Sequence, residues 1–292
     1  MSLYESGDSS GLVSLKDICD GKEISKNTGP VDLRYLAKLI LRGGFPGNLN
    51  YSSIDAQKII KEYIAIIMDD DINRIDGINR DKHKFKLLLK SLARNESTTV
   101  SNLTIKKDIK DIDNEDIDVD TVAAYLNVLD RLFLLDNDSP FSFNIRSSVR
   151  VKQSEKRHFA DPSISCALLN LTEDKLINDL ETFGFMFEAM VIRDLKIYAD
   201  SFDAKCYHYQ DYLNREVDFI IELENGSWCA FEIKLGVNAI EGSASKLIEL
   251  SNSIKEEKGI PPSILCVICG LSSAAYKRED GVYVIPITAL KN

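Results

Sequence analysis

Apolar residues recur at helical spacing through the first half of the chain and alternate with polar ones in much of the last third. Residues 31–82 read as helical: Pro30 is a good first helical residue ahead of VDLRYLAKLILR, which stops at Gly43-Gly44 and Phe45-Pro46. The run SIDAQKIIKEYIAIIMDDDINRI places Ala56, Ile59, Ile60, Tyr63, Ile64 and Ile67 on one side of a longer helix. Between His83 and Arg157 the pattern gives three helices, in FKLLLKSLARN, VSNLTIKKDI and VDTVAAYLNVLDRLFLL, the last with Leu126, Leu129 and Phe133 at helical spacing. Two short strands follow, in FSFNI and SVRVKQ. That order is the order of a winged helix.

The last third changes period. Strands are expected in AKCYHYQ, REVDFIIE, WCAFEIK, SILCVICG and GVYVIPI, with a helix near ASKLIELSNSI, so the fold class is mixed α/β. The centre of this region is a hairpin. Val217, Phe219 and Ile221 point one way and Asp218, Ile220 and Glu222 the other; beyond the turn, Phe231, Ile233 and Leu235 oppose Ala230, Glu232 and Lys234. A two-residue Asn225-Gly226 loop would pair Phe219 with Glu232 and mix apolar with charged groups on both faces. A three-residue loop, with Gly226 left-handed as a bulge, sets Phe219 opposite Phe231 and Asp218 opposite Glu232, and both faces become consistent.

Directly opposed carboxylates about 5 Å apart at Cβ repel unless a cation lies between them. Hard oxygen donors on neighbouring strands suit Mg²⁺ or Mn²⁺, with the carbonyl of Ile233 available as a further ligand. Lys234 projects on the same face as Glu232. A metal that polarises a phosphate and acidifies a water, with an ammonium beside it, is a sufficient kit for phosphodiester hydrolysis. The competing reading is a solvated strand face with surface ion pairs.

Asp218, thirteen intervening residues, then Glu232-Ile233-Lys234 resembles the core of the PD-(D/E)XK nuclease superfamily. The resemblance implies a glutamate on the preceding helix, and Glu188 in FGFMFEAMVIRDL falls on the flank of the apolar arc of Phe183, Phe187, Met190, Val191 and Tyr198. Glu188, Asp218 and Glu232 are then the expected metal ligands and Lys234 the residue acting on the attacking water. Asp194 lies deeper in the same arc, so a structural ion pair for either acid is an alternative. The arginine usual after the aromatic residues ahead of the EVD strand is replaced here by Gln210.

A second resemblance covers nearly the whole chain. SLYESGDSSGLVSLKDI, LAKLILRGGFP, EKRHFADPSIS, FGFMFEAMV, REVDFII and CAFEIK are similar to the C-terminal region of a bacterial and archaeal family in which an AAA-type ATPase module comes first. No G-x-x-x-x-G-K-[ST] occurs; Gly21-Lys22 has Lys16 where the first glycine belongs and Glu23 where the hydroxyl belongs, so no ATP site is expected in this chain. The expectation is a fragment, or a gene that has lost its front, partnered by an ATPase module. The linear order gives a helical linker over 1–82, a winged-helix-like domain over 83–165 and a nuclease-like domain over 166–292.

Charge tests the DNA-binding expectation. The chain carries a net charge of −10, but residues 83–157 hold thirteen Lys+Arg against twelve Asp+Glu. Arg146, Arg150, Lys152, Lys156 and Arg157 cluster in the wing, where they could follow a phosphate backbone, while DIDNEDIDVD ahead of the third helix would repel one. DNA contact and protein packing both stand as readings of this module, and a nuclease fold kept only as a recognition scaffold, or as an oligomerisation element, stands beside the hydrolase. No apolar run approaches a membrane span and MSLYESGDSSG is no export signal, so the cytoplasm is expected. Six cysteines at irregular positions suit reduced core thiols, and Cys266-x2-Cys269 reads as a buried strand rather than half a zinc site.

Overall fold

The computed structural model describes residues 1–141, 154–211, 215–257 and 259–292. In chain order the elements are β1 (Val13–Ser14), α1 (Leu15–Cys19), β2 (Ser25–Asn27), α2 (Leu33–Arg42), α3 (Ser53–Ile66), a π-helical turn (Ile67–Asp71), α4 (Ile72–Arg74), α5 (Lys82–Arg94), α6 (Asn102–Asp113) and α7 (Val119–Arg131). They continue with α8 (Pro162–Leu168), α9 (Glu173–Asn178), α10 (Leu180–Asp200), β3 (Lys205–Gln210), β4 (Glu216–Glu222), β5 (Trp228–Lys234), α11 (Ile240–Glu256), β6 (Ile264–Cys269), β7 (Ala274–Lys277), β8 (Tyr283–Pro286) and β9 (Leu290–Lys291). The fold is mixed α/β.

Among the described residues two compact units divide the chain: residues 1–36, 138–141 and those from 190 onward form one, and residues 37–137 and 154–189 the other. This differs from a three-part linear division. The first thirty-six residues join the sheet unit, because β2 pairs with β7 and β1 pairs with β9. A short exposed strand at a sheet edge has no alternation to betray it, so β2 does not stand out in the helical linker expected over residues 1–82.

The sheet unit is built on seven strands in the order β2-β7-β8-β6-β5-β4-β3. β5, β6 and β8 run parallel and the outer pairings are antiparallel. α11 covers one face through Ile240, Ala244, Leu247, Leu250 and Ile254, which cluster with Val217, Ile220, Trp228, Ala230 and Val267. Cys266 and Cys269 lie in β6, fully buried, and burial pushes the Cys266 thiol far above its ordinary range, as a core strand requires.

The helical unit packs α3, α5, α6, α7 and α8 around Phe85, Leu88, Leu92, Ile105, Ile109, Val122, Leu126 and Leu129. α7 stops at Arg131, one residue pair short of the Phe133 that helical spacing would bury. Phe133 adopts a left-handed φ of 55° and is 84% exposed. The Phe133 N–H donates to the Asp130 carbonyl and the Leu134 N–H to the Leu129 carbonyl, so the chain closes the helix end on itself and turns Phe133 out. One acid of the run before α7 is spent internally: Arg94 donates to Asp113 at 2.9 Å, as it does to Asp108 earlier on α6 at 2.6 Å. Apart from Phe141, the strands expected in FSFNI and SVRVKQ, with Arg146, Arg150 and Lys152, fall within 142–153, outside the described residues.

Two segments distant in sequence lock together in this unit. Asp161 caps α8, its Oδ1 accepting the Ser163 N–H at 3.0 Å, while its Oδ2 accepts the Gly44 N–H at 2.8 Å. Gly43 beside it has φ +73°, and a Cβ there would lie 2.6 Å from Asp161 Oδ1. Only glycine meets both conditions.

Candidate functional site

β4 and β5 meet in the register that the three-residue loop demands. Phe219 pairs with Phe231, Ile220 with Ala230, Ile221 with Cys229 and Glu222 with Trp228. The Leu223 N–H donates to the Ser227 carbonyl, the Gly226 N–H donates to the Leu223 carbonyl, and Gly226 takes φ +79°. That loop places Glu224, Asn225 and Gly226 outside the ladder and leaves both strand faces uniform.

One step past the last backbone pair come Asp218 and Glu232. Asp218 is 6% exposed and Glu232 fully buried. The Asp218 carboxylate takes the place of a strand partner, its Oδ2 accepting the Ile233 N–H at 2.8 Å. The Lys234 ammonium lies 2.7 Å from Asp218 Oδ2 and 2.9 Å from Glu232 Oε2. The other Glu232 oxygen is met by Lys246 of α11 at 2.9 Å. Two acids and two ammoniums thus form one compensated cluster.

Electrostatics follows from that packing. Burial raises the pKa of Glu232, Asp218 raises it further, and Lys234 and Lys246 oppose the rise. For Lys234 burial works to lower the pKa, but the Asp218 and Glu232 carboxylates outweigh it and hold the ammonium firmly charged. A lysine so placed is a fixed cation and hydrogen-bond donor, not a proton acceptor at neutral pH.

The sequence expectation grouped Glu188, Asp218, Glu232 and the Ile233 carbonyl around one ion. Among the described residues no group of three or more His, Cys, Asp or Glu side chains converges as a metal site. Glu188 belongs to the helical unit, where its carboxylate forms an ion pair with the buried ammonium of Lys156. What the hairpin shows of Ile233 is its amide N–H, engaged with Asp218. Asp218 and Glu232 alone fit a small divalent cation in donor type, since both offer hard carboxylate oxygen from adjoining strands to one point now held by an ammonium.

Two of the five basic residues assigned to nucleic-acid contact are described: Lys156 is buried, and the half-buried Arg157 is engaged by neighbouring protein groups. Lys156 is 1% exposed and paired with Glu188. Arg157 pairs through its backbone with Thr98, donates to Asn102 Oδ1 at 3.1 Å and contacts Glu155 at 3.3 Å; burial lowers its pKa. A phosphate backbone needs cations presented to solvent, which the buried, paired Lys156 is not.

Sequence reasoning missed Lys246. It lies on the helix after the hairpin, fourteen residues from Glu232 and outside any x-Lys pattern, and only the packing of α11 over β5 brings it in.

Two stretches of the chain are similar to domain families of unknown function. Residues 33–175 match the model of DUF8612 and residues 183–290 that of DUF4143, each described as a domain of unknown function. The first match covers most of the helical unit, and the second carries the hairpin, α11 and all strands from β3 to β8. No curated protein and no solved structure matches the chain. No helix among the described residues is long and apolar enough to cross a membrane.

Proposed function

We propose that this chain works with an AAA-type ATPase and that its sheet unit is a nuclease-like module acting on phosphodiesters in the presence of Mg²⁺ or Mn²⁺. The observation that carries the reading is the joining of Asp218 and Glu232 through the Lys234 ammonium at the hairpin register that the alternation requires. The ATPase association is supported by the family of residues 183–290, which is typically found in AAA-ATPase-associated C-terminal regions, and by the motif resemblance.

Asp218 and Glu232 would hold the divalent ion, which when bound supplies polarisation of a phosphate oxygen and acidification of a water. The chain's own residues do the rest. The Ile233 N–H orients the Asp218 carboxylate, and Lys246 fixes one Glu232 oxygen from α11. Lys234, held charged, provides a cation for developing negative charge.

A second reading is favoured by one specific feature: Lys234 and Lys246 together balance both acids without any added ion. In that reading the fold is a recognition scaffold for DNA or protein, and the lysines are structural. Incubation of the chain with single- and double-stranded DNA and RNA in Mg²⁺ or Mn²⁺ separates the two, alongside calorimetric titration with Mn²⁺. Metal-dependent cleavage abolished in Asp218→Ala and Glu232→Ala supports the nuclease reading. Nucleic-acid binding without cleavage, unchanged in both variants, overturns it and supports the scaffold.

A further inference from the structure

The helical unit contains a cavity that neither the hairpin nor the winged-helix reading uses. About 420 Å³ in volume, it is floored by Ile64, Met68, Ala167 and Leu168 and edged by the exposed Ala65 with Lys61, Lys86 and Lys90. This is within the size range of sites that take small organic ligands, roughly 300–1,000 Å³. Its walls come from α3, the π-helical turn, α5 and α8. π-helical turns recur at functional sites because the extra residue aims side chains that a regular helix would stagger elsewhere. Here the turn contributes Met68, whose flexible thioether adapts to a varied apolar partner.

The rim is unbalanced in charge. Lys86 and Lys90 stand one helical turn apart on α5, and among the described residues neither has an ion pair or a side-chain hydrogen bond. Like charges at this spacing weaken a helix, so an acid at a neighbouring position would be the stabilising choice. Lys61 reaches Asn170 Oδ1 at 2.8 Å, which holds the ammonium at the rim without neutralising it. The single acid of the lining, Asp69, is already compensated by Lys82 at 2.8 Å. In a chain of net charge −10, this is a local concentration of cations over an apolar floor.

We infer that the cavity is a binding site for a small amphiphilic anion, with its apolar body against Ile64, Met68 and Leu168 and its carboxylate or phosphate head between Lys86 and Lys90. An apolar ligand without charge leaves two ammoniums uncompensated, and a purely ionic one leaves the floor wet. The proposal is independent of the hairpin and of any nuclease activity.

Isothermal titration of the full chain with decanoate below its micellar concentration tests it, with 1-decanol and decyltrimethylammonium as comparators. The expected result is saturable one-to-one binding of decanoate, weakened by salt, with the alcohol about tenfold weaker and the cation weaker still. Lys86→Ala with Lys90→Ala should lower the decanoate affinity about tenfold, and both residues are solvent-accessible, so folding is retained. Ala65→Phe, which narrows the cavity from its exposed edge, should abolish binding while leaving the circular dichroism spectrum unchanged. Non-saturating decanoate binding, equal affinity for the cationic comparator, or unchanged affinity in the double lysine variant overturns the assignment.

Discussion

Phe219 lies directly opposite Phe231 across β4 and β5, with ring centroids 6.5 Å apart and both side chains fully buried. This pair sets the register that delivers Asp218 and Glu232 to one face. Truncation of either ring removes a large, fully buried side chain from the sheet unit. Phe231→Ala is expected to cost about 3–5 kcal/mol in denaturant unfolding. Phe231→Leu should cost far less and preserve the Asp218–Lys234 contact, since volume and alternation are nearly kept. Equal losses in the two variants would sink the idea that ring packing secures the register.

The buried pair Lys156–Glu188 gives the second expectation. Removing one partner leaves the other as an uncompensated charge out of water, so Lys156→Ala should destabilise by about 3–5 kcal/mol. Replacing both, as in Lys156→Met with Glu188→Leu, should recover most of that loss, as measured by urea midpoints. A solvent-facing phosphate contact behaves otherwise: Lys156→Ala would leave stability intact and flatten the salt dependence of nucleic-acid binding.

How far the chain could be read in advance depended on whether the deciding interaction was local. The hairpin register was legible because period-two alternation and a left-handed glycine constrain each other over a dozen residues. β6, with its two cysteines, was legible for a different reason: an uninterrupted apolar run this short is that of a strand covered on both faces. Lys246 was not, because nothing near it in sequence announces that α11 will bring its ammonium to Glu232. Lys156 looked like part of a basic surface run; its burial depends on Glu188, thirty-two residues away. For Asp194 the ion-pair alternative is what the fold contains: Arg193, its neighbour on α10, donates to Oδ1 at 2.7 Å, and the Leu3 N–H, from near the start of the chain, donates to Oδ2 at 2.8 Å. Phe133 fitted the helical period but not the helix end, where the chain's own closing hydrogen bonds decide.

The junction of Gly43-Gly44 with Asp161 predicts a backbone effect. Gly43 combines φ +73° with a Cβ position crowded by Asp161 and Ser163. Gly43→Ala should therefore destabilise by at least about 1–3 kcal/mol from the left-handed conformation alone, read as a lower urea midpoint. Gly47, with no crowding and no left-handed φ, is the control: Gly47→Ala should change stability by less than about 1 kcal/mol. A Gly43→Ala midpoint equal to that of the control would show that the α2 end can move away from α8.

Asp76 and Arg80 predict the acid limb of stability. The Arg80 guanidinium grips both carboxylate oxygens, with Nη1 at 2.8 Å from Oδ1 and Nη2 on Oδ2, and this hydrogen bonding lowers the Asp76 pKa from 3.8 to about 2. A carboxyl depressed in the folded state stabilises it fully above the unfolded pKa and loses that contribution as pH falls through the folded value. The window is therefore pH 4 down to about 2. Asp76→Asn removes the titration, so the stability gap between wild type and variant should be widest above pH 4 and close steadily towards pH 2 in urea unfolding. A gap that stays constant across that range would mean the carboxylate–guanidinium contact does not survive in solution.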